Sequence, residues 1–264
     1  MEFTKMHGAG NDYIYLNCMS AMPEDPEGLS RRLSHRHFGV GGDGLICVCP
    51  SSKGDFQMRM FNADGSEGAM CGNGLRCLGK YVYDKGLTRR TLLRVETLSG
   101  VRTVRLRLRG GQVWGATVDM GPPRVGAPLR VELADGPVTG VPVSMGNPHF
   151  VLQAEDLDGL ELRRLGSELE GLARFPGGVN VEFVRVRRPD LLEMRVWERG
   201  SGETMACGSG ACAASAAMMA AGRLARQAQV RLPGGELSIQ WSLSDGHMYM
   251  TGPTVTVYDG QIAD

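Results

Sequence analysis

Two cysteines in this 264-residue chain stand in nearly the same phrase, Met70-Cys71-Gly72-Asn73-Gly74 and Ala206-Cys207-Gly208-Ser209-Gly210. Each opens a run that reads as a helix, most plainly the Ala- and Met-rich stretch from Ala211 to Gly222. A thiol at the mouth of a helix is placed for acid–base work, because the positive end of the helix dipole favours the thiolate. A group with an ordinary pKa of about 8.5 then becomes available near neutral pH. The glycines let the first backbone N–H groups approach an anion closely, so Gly72, Asn73, Gly208 and Ser209 are expected to hold a carboxylate. Two such thiols suit stereoinversion at a carbon beside that carboxylate. One sulfur removes the proton from one face and the other delivers a proton to the opposite face, while the helix ends stabilise the charge that builds up between. No cofactor is required for this chemistry. None is expected, because the chain has neither a G-x-x-x-x-G-K-[ST] phosphate loop nor a recognisable pyridoxal lysine.

The elements that position these thiols come from an internal repeat. Laying MRMFNADGSEGAMCGNG (58–74) on MRVWERGSGETMACGSG (194–210) sets Cys71 on Cys207 at a shift of 136 residues, 207 − 71. The same shift sets Gly10-Asn11 on Gly146-Asn147, Leu16 on Leu152, Gly41-Gly42 on Gly177-Gly178 and Gly86 on Gly222. Four blocks on one shift imply two homologous lobes. The fold class is therefore α+β, with two pseudosymmetric lobes. Each is a β-sheet or barrel wrapped around a central helix, since the helix after Cys207 is apolar all round. Alternating runs such as YIYL, LICV and FQMRMF, and HFVL, VEFV and LEMRVW in the second half, read as half-buried strands. The expected N-terminal lobe is 1–115, joined by a returning C-terminal strand within 251–264. The C-terminal lobe is 116–250, and the Gly/Pro-rich stretch from Gly110 to Pro142 is the expected hinge. Two lobes related in this way would bring their thiols to a shared cleft.

Departures from the repeat mark where a substrate is asymmetric. Asn62 and Ala63 become Glu198 and Arg199, a pair able to hold an ammonium and a carboxylate at the far end of an amino acid. The remaining cysteines carry less. Cys77 and Cys212 lie inside the helices, Cys47 and Cys49 in a strand, and Cys18 stands alone, so no metal site is expected. Gly39-x-Gly41-x-x-Gly44 matches a dinucleotide fingerprint in spacing, but a helix precedes it and a strand follows, the reverse of what that motif needs. Arg105, Arg107 and Arg109 alternate with apolar residues as the wet face of a strand, and His35 and His37 read as solvated.

Lys+Arg equals Asp+Glu, giving a formal net charge of zero, so no global field draws the chain to nucleic acid or an anionic membrane. The expected partner is a small molecule. Seven cysteines without framework spacing point to a reducing cytoplasm, and no apolar run is long enough to span a bilayer.

The blocks MHGAGNDY, FNADGSEGAMCGNGLRC, MGNPHF, GVNVEFV and WERGSGETMACGSGACA together resemble the diaminopimelate epimerase family, in order and over essentially the whole chain. The resemblance implies cofactor-independent interconversion of LL- and meso-diaminopimelate, a step of lysine and peptidoglycan biosynthesis, and a homodimer. It also implies that Cys71 and Cys207 are the acid/base pair and that Asn11, Asn62, Asn147, Asn180 and Arg199 hydrogen-bond the substrate. Glu198 would lie near the reacting centre, Gly72-Asn73 and Gly208-Ser209 would bind the carboxylate, and His149 would help set the protonation of one thiol. Where some members carry Gln after the Gly-x-Asp of the glycine loop, this chain has Gly44. Two other readings stay open: a racemase of the same superfamily acting on proline, hydroxyproline or histidine, and a thiol redox or metal-binding protein.

Overall fold

The computed structural model describes residues 1–262. In chain order the elements are β1 (Glu2–Gly8), β2 (Asn11–Asn17), α1 (Pro26–Ser34), β3 (Gly44–Cys49), β4 (Phe56–Asn62), β5 (Glu67–Gly68), α2 (Gly72–Asp84), β6 (Leu92–Thr97), β7 (Gly100–Arg109) and β8 (Gln112–Gly121). They continue with β9 (Arg124–Val125), β10 (Leu129–Leu133), β11 (Gly136–Ser144), β12 (Pro148–Gln153), α3 (Leu162–Glu170), β13 (Asn180–Arg188), β14 (Leu191–Glu198) and β15 (Gly202–Thr204). The last are α4 (Gly208–Ala220), β16 (Gln227–Leu232), β17 (Gly235–Trp241), β18 (Met248–Pro253) and β19 (Val255–Gln261). The chain divides into two compact units, Met1–Asp119 together with the segment from Thr251, and Met120–Met250.

In the first unit β1 pairs antiparallel with both β2 and the C-terminal β19, β2 runs parallel to β3, and β3 pairs antiparallel with β4. In the second, β11 pairs antiparallel with both β12 and β9, β12 runs parallel to β13, and β13 pairs antiparallel with β14. The shift of 136 holds to the residue in places. It carries Pro26–Ser34 onto Leu162–Glu170 and Gly72–Asp84 onto Gly208–Ala220. It also carries the parallel pair Tyr13↔Gly44 onto His149↔Asn180.

The central helices start and stop for local reasons. Cys71 and Cys207 have extended backbones, with φ −126° and ψ 118°, and φ −115° and ψ 115°. Each thiol sulfur accepts the N–H of the residue three further on, as a serine cap would. Gly86 and Gly222 end both helices at φ 73° and φ 68°, the left-handed conformation that closes a helix at low cost only for glycine. Every residue of α4 from Ala211 to Met219 is buried, as the all-round apolar pattern requires.

One expectation needs correction. The runs YIYL, LICV, HFVL and VEFV are not half-buried: β2 is buried from Tyr13 to Leu16, all of β3 is buried, β12 is buried from His149 to Leu152, and β13 from Asn180 to Val184. One face of each strand meets the surface helix and the other the central helix, so Leu45 and Cys47 pack with Leu29 and Leu33 of α1 while Ile46 faces Gly74 of α2. The stretch from Gly110 to Pro142 holds the division between the two units, at Asp119 and Met120, and is mostly strand. Gly110 and Gly111, at φ 57° and 80°, form the tight connection between β7 and β8, a turn that needs left-handed residues. No helix among the described residues is long and apolar enough to cross a membrane.

Candidate active site

In the first unit, Cys71 Sγ accepts the Gly74 N–H at 3.3 Å and donates to Asn11 Oδ1 at 3.3 Å. Asn73 Nδ2 donates to the same oxygen at 3.3 Å. Asn11 is itself oriented from behind, since its Nδ2 donates to Asp43 Oδ2 at 2.8 Å. Arg76, fully buried one turn into α2, donates from Nη1 to Asn73 Oδ1 at 2.9 Å. Burial and the neighbouring Asp12 push the Asp43 carboxyl above its ordinary value. Burial opposes ionisation of Asp12 too, but hydrogen bonds from Arg36 and Lys5 outweigh it and hold that carboxyl below its usual range. Cys71 is half-buried.

The second unit repeats the cap with different neighbours. Cys207 Sγ accepts the Gly210 N–H at 3.4 Å and lies 3.6 Å from Ser209 Oγ. Asn147 Nδ2 donates to Ser209 Oγ at 3.4 Å, and Asn147 Oδ1 lies 3.1 Å from His149 Nε2. His149 Nδ1 meets Glu182 Oε1 at 2.6 Å, with both side chains fully buried. Burial, then the Glu198 carboxylate, then Glu182, drive the Cys207 thiol well above its ordinary value, against the opposing pull of Ser209 and the Gly210 N–H. This reverses the expectation that a helix start makes the thiol more acidic. At 5% exposure the loss of hydration outweighs the helix dipole, whose effect is confined to the first turn.

The structure thus gathers Cys71, Asn11 and Asn73 around Gly72 in one unit, and Cys207, Ser209, Asn147 and His149 around Gly208 in the other. The remaining expected residues lie in side networks. Asn62 donates to Ser66 Oγ at 3.0 Å. Glu198 accepts the Thr204 hydroxyl at 2.5 Å. Asn180 Nδ2 donates to Pro148 O at 3.1 Å, and its Oδ1 accepts the Arg199 N–H at 3.0 Å. The Arg199 guanidinium donates to Gly177 O at 3.1 Å. Gly44 has a steric explanation: a Cβ there would lie 2.2 Å from Phe61 O and 3.0 Å from Tyr13 Cε1. The polar contacts made by Asn180 therefore have no counterpart at this position. Asp43, Arg76 and Glu182 are the site residues that sequence reasoning missed. All seven cysteines are thiols, outside any disulfide, and among the described residues no cluster of three or more His, Cys, Asp or Glu is placed to hold a metal ion.

The duplicated α+β fold is shared with solved proteins of more than one name. A hydroxyproline epimerase from Agrobacterium vitis superposes with a TM-score of 0.77 at 17% identity, covering 98% of this chain and 91% of that one. A Bacillus anthracis phenazine biosynthesis protein gives 0.78 at 14% identity, covering 100% and 99%. Identities this low speak for the fold alone. The profile of the diaminopimelate epimerase family matches residues 3–126 and 141–257, and the chain belongs to that family. It is 48% identical to the diaminopimelate epimerase of Parabacteroides distasonis over 263 residues, covering 99% of this chain and 98% of that one. It is 45% identical to that of Acetivibrio thermocellus over 277 residues, with 99% and 98% covered.

Proposed function

We propose that this chain interconverts LL- and meso-diaminopimelate without a cofactor, with Cys71 and Cys207 as the acid/base pair acting on opposite faces of one substrate carbon. The observation that carries the activity is identity of 45% and 48%, over nearly the whole length of both chains, to relatives of that name. In this reading Cys207, which burial and the two glutamates keep protonated, starts a turnover as the acid. Cys71 accepts the α-proton as its thiolate, and the carbanion then takes the Cys207 proton on its other face. The two sulfurs end with exchanged roles, ready for the reverse direction. Thiolate forming at Cys207 is met by the Ser209 hydroxyl and the Gly210 N–H, and that at Cys71 by the Gly74 N–H. The N–H groups at Gly72-Asn73 and Gly208-Ser209 belong to first helical turns, which have no intrahelical acceptors; they take the substrate carboxylate. Asn11, Asn62, Asn147, Asn180, Glu198 and Arg199 bind the rest of the zwitterion, with His149 supporting Cys207. We further infer a homodimer working in the cytoplasm, to be tested by light scattering and by cell fractionation.

The decisive experiment is incubation in deuterated water. With LL-diaminopimelate, mass spectrometry should show one deuterium entering at an α-carbon together with formation of the meso isomer. L-Proline and L-histidine should not exchange. Exchange confined to proline or histidine would transfer the assignment to another racemase. Bound zinc or reversible dithiol chemistry, without any α-exchange, would transfer it to a thiol protein of a different class.

A further inference from the structure

Glu182 is the single fully buried carboxyl among the described residues, and packing does not call for it. The shift of 136 puts Ile46 in the same place in the first unit, 182 − 136. Ile46 Cδ1 lies 2.7 Å from where a Gly74 Cβ would stand, just as Glu182 Oε1 lies 2.7 Å from where a Gly210 Cβ would stand. An apolar residue therefore fits against the central helix. The carboxyl brings a penalty, because Glu182 Oε2 is buried without a hydrogen-bond partner, and an unsatisfied buried acceptor is destabilising. His149 replaces Tyr13, its counterpart at 149 − 136, at the neighbouring position, so the two exchanges arrive together.

The hydrogen bonds fix how many protons this pair holds. Asn147 turns its Nδ2 toward Ser209 Oγ and its Oδ1 toward His149 Nε2. An amide oxygen only accepts, so Nε2 carries a hydrogen. Nδ1 and Glu182 Oε1 then share a second one across 2.6 Å. With two protons the pair has no net charge, whichever atom the shared proton sits nearer. Ser209, having accepted from Asn147, is left with its own hydroxyl hydrogen to direct at Cys207 Sγ, 3.6 Å away.

We propose that Glu182 is a positioning residue. Through the shared proton it holds His149 in the Nε2–H form, which sets the Asn147 amide and aims the Ser209 hydroxyl at Cys207. Its catalytic consequence rests on the reading above, in which Cys207 exchanges a proton with the substrate.

The test pairs two variants. Glu182→Gln retains a donor for Nδ1 and should leave kcat within about threefold of native. Glu182→Ile, the residue the first unit uses, removes the donor and should lower kcat on the order of tenfold or more with little change in KM, as losing an outer hydrogen-bond partner commonly does. In parallel, ¹⁵N spectra of the histidine rings, with His149 assigned by a His149→Asn variant, should show protonated Nε2 in the native protein and in Glu182→Gln. An unprotonated Nε2 in the native protein would overturn the proposal without any variant. So would native kcat in Glu182→Ile, or equal damage in Glu182→Gln and Glu182→Ile, which would assign the effect to carboxylate charge instead. Should the native chain fail to exchange α-protons, the proposed activity falls, while the ring spectra still decide what Glu182 does to His149.

Discussion

The two capped thiols share a backbone and differ in everything around it. Cys71 is half-buried and faces amides, with the charged Arg76 and Asp43 one residue removed. Cys207 is buried and backed by carboxyls and a histidine. Duplication preserved the cap geometry to within about ten degrees, yet the Cys207 thiol is raised first by its burial and then by carboxyls that have no counterpart across the repeat. Asn62 faces Glu198 in the alignment, Ile46 faces Glu182, and Tyr13 faces His149. A thiol's place in a helix therefore predicts its role less well than the hydration and charge of its neighbours.

The sharpest way to break the equivalence is to remove each sulfur in turn. Cys71→Ala and Cys207→Ala should each lower the rate of inversion by about 10³-fold or more, followed by circular dichroism or chiral chromatography of diaminopimelate. Native rates in either variant would mean that one thiol suffices.

A methyl group at the two equivalent glycines should separate the sites by stability. In Gly210→Ala the new Cβ meets Glu182 Oε1 at 2.7 Å, Cys207 Cβ at 3.2 Å and Sγ at 3.3 Å. In Gly74→Ala it meets the end of Ile46 at 2.7 Å, but Cys71 only at 3.5 Å and beyond. Ile46 can turn its terminal methyl aside, whereas Glu182 is tied to His149. Urea unfolding should show a loss of about 2 kcal/mol for Gly210→Ala and a smaller one for Gly74→Ala, and equal losses would refute the contrast.

Alkali should act on both units through buried thiols. Burial pushes Cys77 from 9.0 to about 11, the hydrogen bond with Cys47 helps raise Cys18 to about 12, and Cys207 is also raised. These groups keep their protons in the folded chain at pH values where the unfolded chain gives them up. Stability is thus complete below pH 9 and falls progressively as pH climbs toward 11 and 12. The melting temperature, scanned from pH 8 to 11, should decline from about pH 9, and Cys77→Ala, which installs the residue found at 213 in the other unit, should flatten that slope.

The smallest expected effect concerns a feature both units share. Arg59–Glu67 and Arg195–Glu203 are equivalent ion pairs, each at 2.8 Å and partly exposed. Replacing either arginine by methionine should change stability by less than about 1 kcal/mol, with the difference shrinking further in high salt.

Much of this was legible because duplication writes structure twice. The repeated Cys-Gly-x-Gly phrase placed both caps and both central helices, and the constant shift showed that the chain holds two equivalent units. The half-buried reading of β2, β3, β12 and β13 went wrong because alternation cannot report a strand covered on both faces. Glu182 was missed for the same reason, since it lies inside VEFV. The available signal was its alignment with Ile46, an apolar position turned ionisable.

What the sequence determined by itself is the pair of local devices: a thiol, two glycines and a helix start, governed by neighbours a few residues away along the chain. What only tertiary structure decided is the state of each device. The acidity of Cys207 depends on burial and on carboxyls at positions 182 and 198, while the orientation of Asn11 depends on Asp43. Electrostatic energy and desolvation act through space, and residues remote in sequence become their terms only once the strands have paired.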